Sequence, residues 1–127
     1  MVVDSSAIMA MLFDESEARQ LYRKLLEAPR ALISAATFLE TAIVVDQRIR
    51  RPEIEFDDFI QSTGMDIVPV TASHARLARE AYRRFGRGNH RAALNFGDCF
   101  SYALAKVTDE PLLSKGNDFQ LTDIRLA

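Results

Sequence analysis

Short apolar runs alternate with helical stretches along this chain, and this alternation strongly narrows the folds it can adopt. The apolar runs predict strands over residues 1–4, 31–33, 65–70 and 111–114, with a last short strand over 124–126. Helical patterns predict helices over 5–13, 15–27, 35–49, 53–62, 74–85 and 97–107. Strands that alternate with helices indicate a parallel sheet covered on both faces. The predicted fold class is therefore α/β, a three-layer α/β/α domain with a central parallel β-sheet.

Length and composition agree with one domain over residues 1–127. Apolar residues make up 48% of the 127 residues and charged residues 27%, as in ordinary globular proteins. Cys99 is the only cysteine, and His74 and His90 are the only histidines, which excludes an internal disulfide and argues against a zinc site. No apolar run could span a bilayer, and the first residues lack the features of a signal peptide, so we expect a cytoplasmic protein.

One segment is basic although the net charge of the chain is −2. Residues 81–97 contain no carboxylate, whereas Arg83, Arg84, Arg87, His90 and Arg91 all lie there, which makes a local basic patch. Cations of this kind neutralise the phosphates of a nucleic acid. Arg84, Arg87 and Arg91 are therefore the candidate phosphate contacts, with a solvated helix end and a flexible loop as the alternative.

Two carboxylates in the first half of the chain stand where the fold alone does not require a charge. Asp4 ends the first predicted strand, and the alternative is that it only caps the next helix, although Ser5 or Ser6 could do that without it. Glu40 lies in the almost wholly apolar stretch 38–45. A buried carboxylate without a partner is costly or becomes protonated. We therefore expect Glu40 to meet a cation or to lie at the rim of a site, unless it belongs to a narrow solvated stripe with Thr41 and Asp46.

Two further carboxylates follow glycines in the second half. Asp98 opens a helix after Gly97, and Asp118 follows a turn after the fourth strand. Each could serve only local structure, through the helix dipole or the turn. In a parallel sheet, however, loops at the carboxyl ends of the strands form the site. Together with Asp4 and Glu40 they would form an oxygen-only cluster, which suits Mg²⁺ or Mn²⁺ and phosphodiester hydrolysis.

Four segments resemble, in order, the motifs of PIN-domain ribonucleases, and in particular the VapC-type toxins of VapBC toxin–antitoxin systems. They are residues 1–7 (MVVDSSA), 34–42 (SAATFLETA), 94–103 (LNFGDCFSYA) and 113–119 (LSKGNDF) together with Thr122 and Asp123. The third is the most specific, and the set covers the chain from end to end. Many relatives carry Thr-Ser where this chain has Ser5 and Ser6, which retains a hydroxyl.

The resemblance implies a catalytic, metal-binding quartet for Mg²⁺ or Mn²⁺. Its members would be Asp4, Glu40, Asp98 and Asp118. Asp4 and Asp98 would be direct ligands, while Glu40 and Asp118 would hold a second ion or the attacking water. Asp123 is an open alternative to Asp118. Ser6 and Thr122 would be auxiliary, as hydrogen-bond partners of water or phosphate.

The resemblance also implies an activity and partners. The activity would be endoribonuclease cleavage of structured RNA, often transfer RNA, by a toxin that a VapB-type antitoxin silences. A homodimer or a toxin–antitoxin hetero-oligomer would be expected. Apolar residues of the first helices could form a groove for a partner helix, with core packing as the alternative. These residues are Leu12, Phe13, Leu21, Tyr22, Leu25 and Leu26.

Other classes fit the sequence less well. A haloacid-dehalogenase-type phosphatase needs a second aspartate two residues after Asp4, where this chain has Ser6. A receiver domain could use Lys115, but it needs a phosphorylatable aspartate after the third strand, where residues 70–72 are Val-Thr-Ala. The remaining alternative is a catalytically weak PIN fold that serves as an RNA-binding or assembly scaffold.

Overall fold

Within the described residues, four strands and six helices alternate along the chain. A computed structural model describes residues 1–48 and 52–127, without the side chains of residues 52–54. The elements are β1 (Val2–Val3), α1 (Ser5–Leu12), α2 (Ala18–Glu27), β2 (Ala31–Ser34), α3 (Ala35–Arg48), α4 (Pro52–Ser62), β3 (Met65–Val68), α5 (Ala72–Phe85), α6 (Asp98–Thr108) and β4 (Leu112–Leu113), followed by a 3₁₀-helix, Asp118–Leu121. The predicted end of the third helix at residue 49 lies outside the described residues.

The sheet is parallel throughout, with the strand order β3-β2-β1-β4. The chain moves from β1 to β2 and β3 on one side and returns to β4 on the other. Val2 pairs with Leu112 and Val3 with Leu113. Parallel sheets bind ligands beyond the carboxyl ends of the strands at the point where the strand order reverses. The topology therefore predicts a binding site at the ends of β1 and β4, where Asp4 and the segment leading to Asp118 lie.

Alternate residues of each strand face two separate apolar cores, which makes the fold a three-layer α/β/α structure as predicted. Val2, Leu32 and Leu112 pack with α5 and α6. Val3, Ile33 and Leu113 pack on the other face with α1, α2, α3 and α4. Because both faces are covered, the strands β1, β2 and β4 are buried along their whole length and lack the alternation of a half-exposed sheet.

Some predicted element bounds were wrong at the margins. The last predicted strand, residues 124–126, is only an isolated parallel bridge from Leu126 to Leu112, because β4 offers two residues for pairing. The third strand stops at Val68 instead of reaching residue 70, since Pro69 has no N–H for the ladder. It lies at the edge of the sheet. No helix within residues 1–48 and 52–127 has the length and apolar character needed to cross a membrane.

Candidate active site

Asp4 lies at the carboxyl end of β1 and is almost fully buried, with 2% of its surface exposed. Its Oδ2 accepts hydrogen bonds from the Ser6 backbone N–H (3.0 Å) and hydroxyl (2.7 Å), and its Oδ1 accepts one from the Ser101 hydroxyl (2.7 Å). The prediction that a serine caps α1 was therefore wrong. Asp4 itself is the N-cap, because its oxygen reaches the N–H two residues on.

Ser101 belongs to the site although we did not predict it from the sequence. It is fully buried, donates to Asp4, and lies 3.3 Å from the Thr37 hydroxyl of α3. It thereby links β1, α3 and α6 behind the carboxylate. A signal was present, because Ser101 lies one helical turn after Asp98 in an otherwise apolar helix, where a hydroxyl needs a polar partner.

Asp98 begins α6 and faces the other carboxylates. Its Oδ2 accepts a hydrogen bond from the Asn95 N–H (2.7 Å), and its own N–H donates to the Asn95 Oδ1 (2.9 Å). This reciprocal pair fixes the start of the helix. Burial raises the pKa of Asp98 to about 7, against the Asn95 hydrogen bond and with the help of the negative charges of Asp4, Asp118 and Glu40.

Glu40 points from α3 toward the same place. Its carboxylate lies against Gly97, so that a Cβ on that glycine would come within 2.6 Å of Oε2 and 2.7 Å of Cδ. Burial, and then the charge of Asp4, raise the pKa of Glu40, while the hydroxyl of Ser5 lowers it. The solvated-stripe alternative was wrong, because the neighbouring Thr41 is fully buried. Glu40 is half-buried at the rim of the acidic cluster, the group of carboxylates that also includes Asp4, Asp98 and Asp118.

The two aspartates that competed for the fourth position differ in their surroundings. Asp118 is exposed at the start of the 3₁₀-helix and close enough to Asp98 for its charge to raise that pKa. Asp123 accepts a hydrogen bond from the Tyr102 hydroxyl (2.7 Å) and forms ion pairs with Arg84 and Lys106, both 3.3 Å. The charges of Asp4, Glu40 and Asp118 thus all act on Asp98, whereas Asp123 lies in an ion-pair network.

The two predicted auxiliary hydroxyls have different local roles. The Ser6 hydroxyl donates to Asp4 and accepts from the Lys115 N–H (3.0 Å), which joins the loop after β4 to the end of β1. The Thr122 hydroxyl donates to the Phe119 carbonyl (2.7 Å). Ser6 thus lies in the site, whereas Thr122 closes the 3₁₀-helix. The Lys115 ammonium group is ion-paired with Glu15.

The predicted RNA-binding arginines lie at and after the end of α5. Arg84 pairs with Asp123 and lies 4.7 Å over the Phe85 ring. Arg87 and Arg91 are exposed in the loop that leads to α6. Cys99, which is near this loop in sequence, is buried, and burial raises the pKa of its thiol to about 11, in agreement with a packing role.

The acidic cluster has the donor chemistry of a divalent-cation site. Within the described part of the chain, no three His, Cys, Asp or Glu side chains are arranged so that they could hold an ion. Asp4 and Asp98 instead accept hydrogen bonds from hydroxyl and backbone donors. The ligand atoms are all oxygens, and burial, followed by the neighbouring charges, raises the pKa values of Asp98 and Glu40. A hard divalent cation would stabilise these buried carboxylates, so their donor chemistry fits Mg²⁺ or Mn²⁺.

Comparison with known sequences identifies related proteins. The model of the PIN domain family matches residues 1–124. The chain is 49% identical over 125 residues to Ribonuclease VapC of Mycolicibacterium smegmatis, which covers 98% of this chain and 97% of the relative. It is also 49% identical over 126 residues to Ribonuclease VapC30 of Mycobacterium tuberculosis, with 98% and 95% covered.

Solved structures share the fold at lower sequence identity. Mycobacterium tuberculosis VapC20, a Sarcin-Ricin loop cleaving toxin, superposes with a TM-score of 0.79 at 19% identity, covering 99% of this chain and 97% of that one. A chain of a toxin–antitoxin complex from Klebsiella pneumoniae gives 0.74 at 14% identity, with 99% and 95% covered. A chain of VapBC2 from Rickettsia felis, bound to a DNA fragment from its promoter, gives 0.75 at 12%, with 99% and 96% covered.

Proposed function

This chain belongs to the PIN-domain family and, within it, to the VapC ribonucleases, and on that basis we propose that it is an endoribonuclease toxin whose RNA cleavage depends on Mg²⁺ or Mn²⁺. The observation that carries the metal dependence is that Asp98, buried at the start of α6, has the charges of Asp4, Asp118 and Glu40 close to it. Burial, together with these charges, raises the pKa of Asp98 to about 7, and a bound cation would offset both effects.

Each carboxylate has a proposed role. Asp4 and Asp98 would hold the cation directly, because they are buried and fixed by hydrogen bonds. A cation bound there supplies charge neutralisation and a more acidic water for attack on phosphorus. Glu40 and Asp118, at the rim, would orient and deprotonate that water or hold a second ion. Ser6 and Ser101 hold the carboxylate of Asp4 in one orientation.

The loop arginines are proposed as contacts to the RNA backbone. Arg87 and Arg91 are exposed, while Arg84 would have to exchange Asp123 for phosphate. Such contacts position an RNA but do not read its sequence. A structured RNA such as transfer RNA is the proposed substrate class, and the cytoplasm is where the protein would meet it.

A VapB-type antitoxin is the proposed partner. In support, structures with this fold include the Klebsiella pneumoniae toxin–antitoxin complex and VapBC2 of Rickettsia felis. The groove expected from the first helices is only partly available, because Leu21 and Leu25 are buried in the core. Leu26 is exposed on the outer side of α2 and remains a candidate contact for an antitoxin helix.

A homodimer is also proposed, through an apolar band formed by Leu39, Ile43, Phe96 and Phe100. Phe96 is 78% exposed, and Leu39 and Ile43 are at least half exposed. Apolar clusters of this kind commonly mark protein interfaces. Sedimentation of the wild type and of Phe96→Ser tests the assignment, because a dimer that survives in the variant would use another face.

Cleavage of RNA by the purified, antitoxin-free protein tests the proposed function. We expect fragments from total RNA with Mg²⁺ or Mn²⁺, none with chelator, and none from Asp98→Asn. Intact RNA under every condition, together with the absence of growth arrest on expression, would favour the scaffold alternative. Cleavage that persists in chelator would contradict the proposed metal dependence.

A further inference from the structure

Three arginines form a stripe along the exposed side of α5, before the loop that carries Arg87 and Arg91. Arg76, Arg79 and Arg83 are three and four residues apart, which places them on one face of the helix. All three are exposed and line an open depression of about 560 Å³ together with Glu80 and Arg84. Like charges at this spacing repel one another, so an anion bound along the stripe would stabilise the arrangement.

The stripe differs from the cations that the fold already uses. Arg84 and Lys106 pair with Asp123, and Arg30 pairs with Asp66. By contrast, no carboxylate in residues 1–48 and 52–127 forms an ion pair within 4.0 Å of Arg76, Arg79 or Arg83. Glu80 lines the same depression without pairing to them. Their guanidinium groups are therefore free to bind an external anion, and they can do so bidentately.

The stripe and the acidic cluster border the same apolar surface. Arg79 lines a cavity of about 330 Å³ with Phe96 and Phe100. The same two phenylalanines line the adjoining cavity of about 430 Å³, whose far side holds Glu40 and Gly97. Arg79 and Glu40 thus each border the apolar band that is proposed above for the homodimer, so the stripe and the carboxylates lie at margins of that band and not within it. A polyanion that places one phosphate at the carboxylates can extend toward the stripe along the margin of the band, without crossing its centre.

We propose that Arg76, Arg79 and Arg83 bind consecutive backbone phosphates of the substrate RNA on one side of the scissile bond. This inference rests on the proposed function and deepens it, because it identifies the surface along which the RNA leaves the acidic cluster. Contacts to phosphate neutralise charge independently of base identity. The stripe therefore contributes to affinity and orientation, while sequence preference arises elsewhere.

A matched pair of double variants tests the proposal. Arg79→Gln/Arg83→Gln removes two charges, four residues apart, from the stripe. Arg19→Gln/Arg23→Gln removes two exposed charges with the same spacing from α2, which packs on the opposite face of the sheet. Glutamine is a good helix former, so both should fold. All proteins carry Asp98→Asn to keep the RNA intact, and the probe is a labelled RNA hairpin with a randomised loop, titrated by anisotropy across a salt series.

We expect the stripe variant to lose roughly 10-fold or more in affinity, with a shallower dependence on salt. Each lost phosphate contact removes about 0.7 to 0.9 unit from the slope of log K against log salt, so two contacts remove about 1.5 units. The α2 variant should match the parent. Equal losses in both variants, no loss in the stripe variant, or no RNA binding by the parent at low salt would overturn the proposal.

The same arginine substitutions in the active protein separate this inference from the proposed function. Arg79→Gln/Arg83→Gln should raise KM and leave kcat nearly unchanged, because binding is lost equally in ground and transition states. If the wild type cleaves no RNA, the nuclease proposal fails, while the binding comparison still reports on the stripe. If the variant binds RNA normally but no longer binds an antitoxin, the stripe is a protein contact and the RNA assignment is wrong.

Discussion

The carboxylate of Glu40 occupies the space that a side chain at Gly97 would fill. A Cβ there would come within 2.6 Å of Oε2, which no ordinary contact allows. The backbone of Gly97 is in the right-handed helical region, with φ −64° and ψ −45°, so any residue could adopt it. A glycine is therefore needed here because the Glu40 carboxylate approaches so closely, and not because of the backbone conformation.

We predict that Gly97→Ala lowers kcat/KM on the order of 100-fold, because a displacement of about 1 Å at a catalytic group has that effect. Its thermal stability should change little, since alanine is the better helix former. Steady-state cleavage and thermal unfolding would measure both quantities. The control is the pair Glu40→Ala and Glu40→Ala/Gly97→Ala, which should be equally active because no carboxylate remains to be displaced. If Gly97→Ala is fully active, Glu40 does not act from this position.

The charge of Asp98 should destabilise the metal-free protein at alkaline pH. In the folded protein its pKa is about 7, whereas in the unfolded chain it is about 3.9. The folded state therefore holds more protons between these values, and stability falls as pH rises from about 4 to 7. Asparagine at position 98 carries no charge. In chelator at pH 8, the free energy of unfolding of Asp98→Asn should therefore exceed that of the wild type, by a few kcal/mol at most.

Urea unfolding at pH 5 and pH 8 measures this difference. The advantage of Asp98→Asn should be largely lost at pH 5, where the wild-type carboxyl is protonated in the folded state. Asp46→Asn is the control. It neutralises an exposed carboxylate of α3, so its stability at pH 8 should equal that of the wild type. A wild type that is more stable than Asp98→Asn at pH 8 in chelator would contradict the cost of holding the Asp98 charge in this buried, acidic place.

The layer architecture could be predicted from the sequence because it depends on local pattern: short apolar strands between helices indicate a covered parallel sheet. Carboxylates after strands indicate the switch-point edge, and the acidic quartet stays a prediction for that edge. The contacts that shape the site could not be predicted in this way. The Ser101–Asp4 hydrogen bond joins residues 97 positions apart, and the fit of Glu40 against Gly97 depends on how α3 packs on α6.

At some positions the residue type alone did not predict the contact that the side chain makes. Ser5 and Ser6 are good N-caps in principle, but Asp4 takes that role because its side chain already lies beside the Ser6 N–H. Charge alone could not separate Arg84 from Arg83 in the sequence. Only the tertiary structure shows that Arg84 is paired with Asp123, whereas Arg83 forms no ion pair with the described carboxylates.

The choice between Asp118 and Asp123 can be decided by a pair of substitutions. We expect Asp118→Asn to reduce cleavage by orders of magnitude and to leave stability nearly unchanged, because the side chain is exposed and near Asp98. Asp123→Asn should retain most activity and lose about 1 kcal/mol of stability, since it weakens the contacts with Tyr102 and two cations. The reverse pattern would make Asp123 the fourth acid.

Ser101→Ala should affect catalysis through Asp4. Removing the hydroxyl leaves the buried Oδ1 without its 2.7 Å donor, which costs on the order of 1–3 kcal/mol of folding stability. The carboxylate also loses its orientation, so kcat should fall about 10-fold or more while KM changes little. Ser101→Thr retains the hydroxyl and tests rescue. An alanine variant with unchanged kcat would limit Ser101 to packing.

Binding of Mn²⁺ to the purified protein, followed by electron paramagnetic resonance, tests most directly the central claim that these carboxylates form a divalent-cation site. The wild type and Asp123→Asn should bind Mn²⁺ with similar affinity. Binding should fall at least about 10-fold in Asp98→Asn, because the ligand charge is lost while the fold remains. Equal Mn²⁺ binding by the wild type and Asp98→Asn, or no binding by the wild type, would contradict the account.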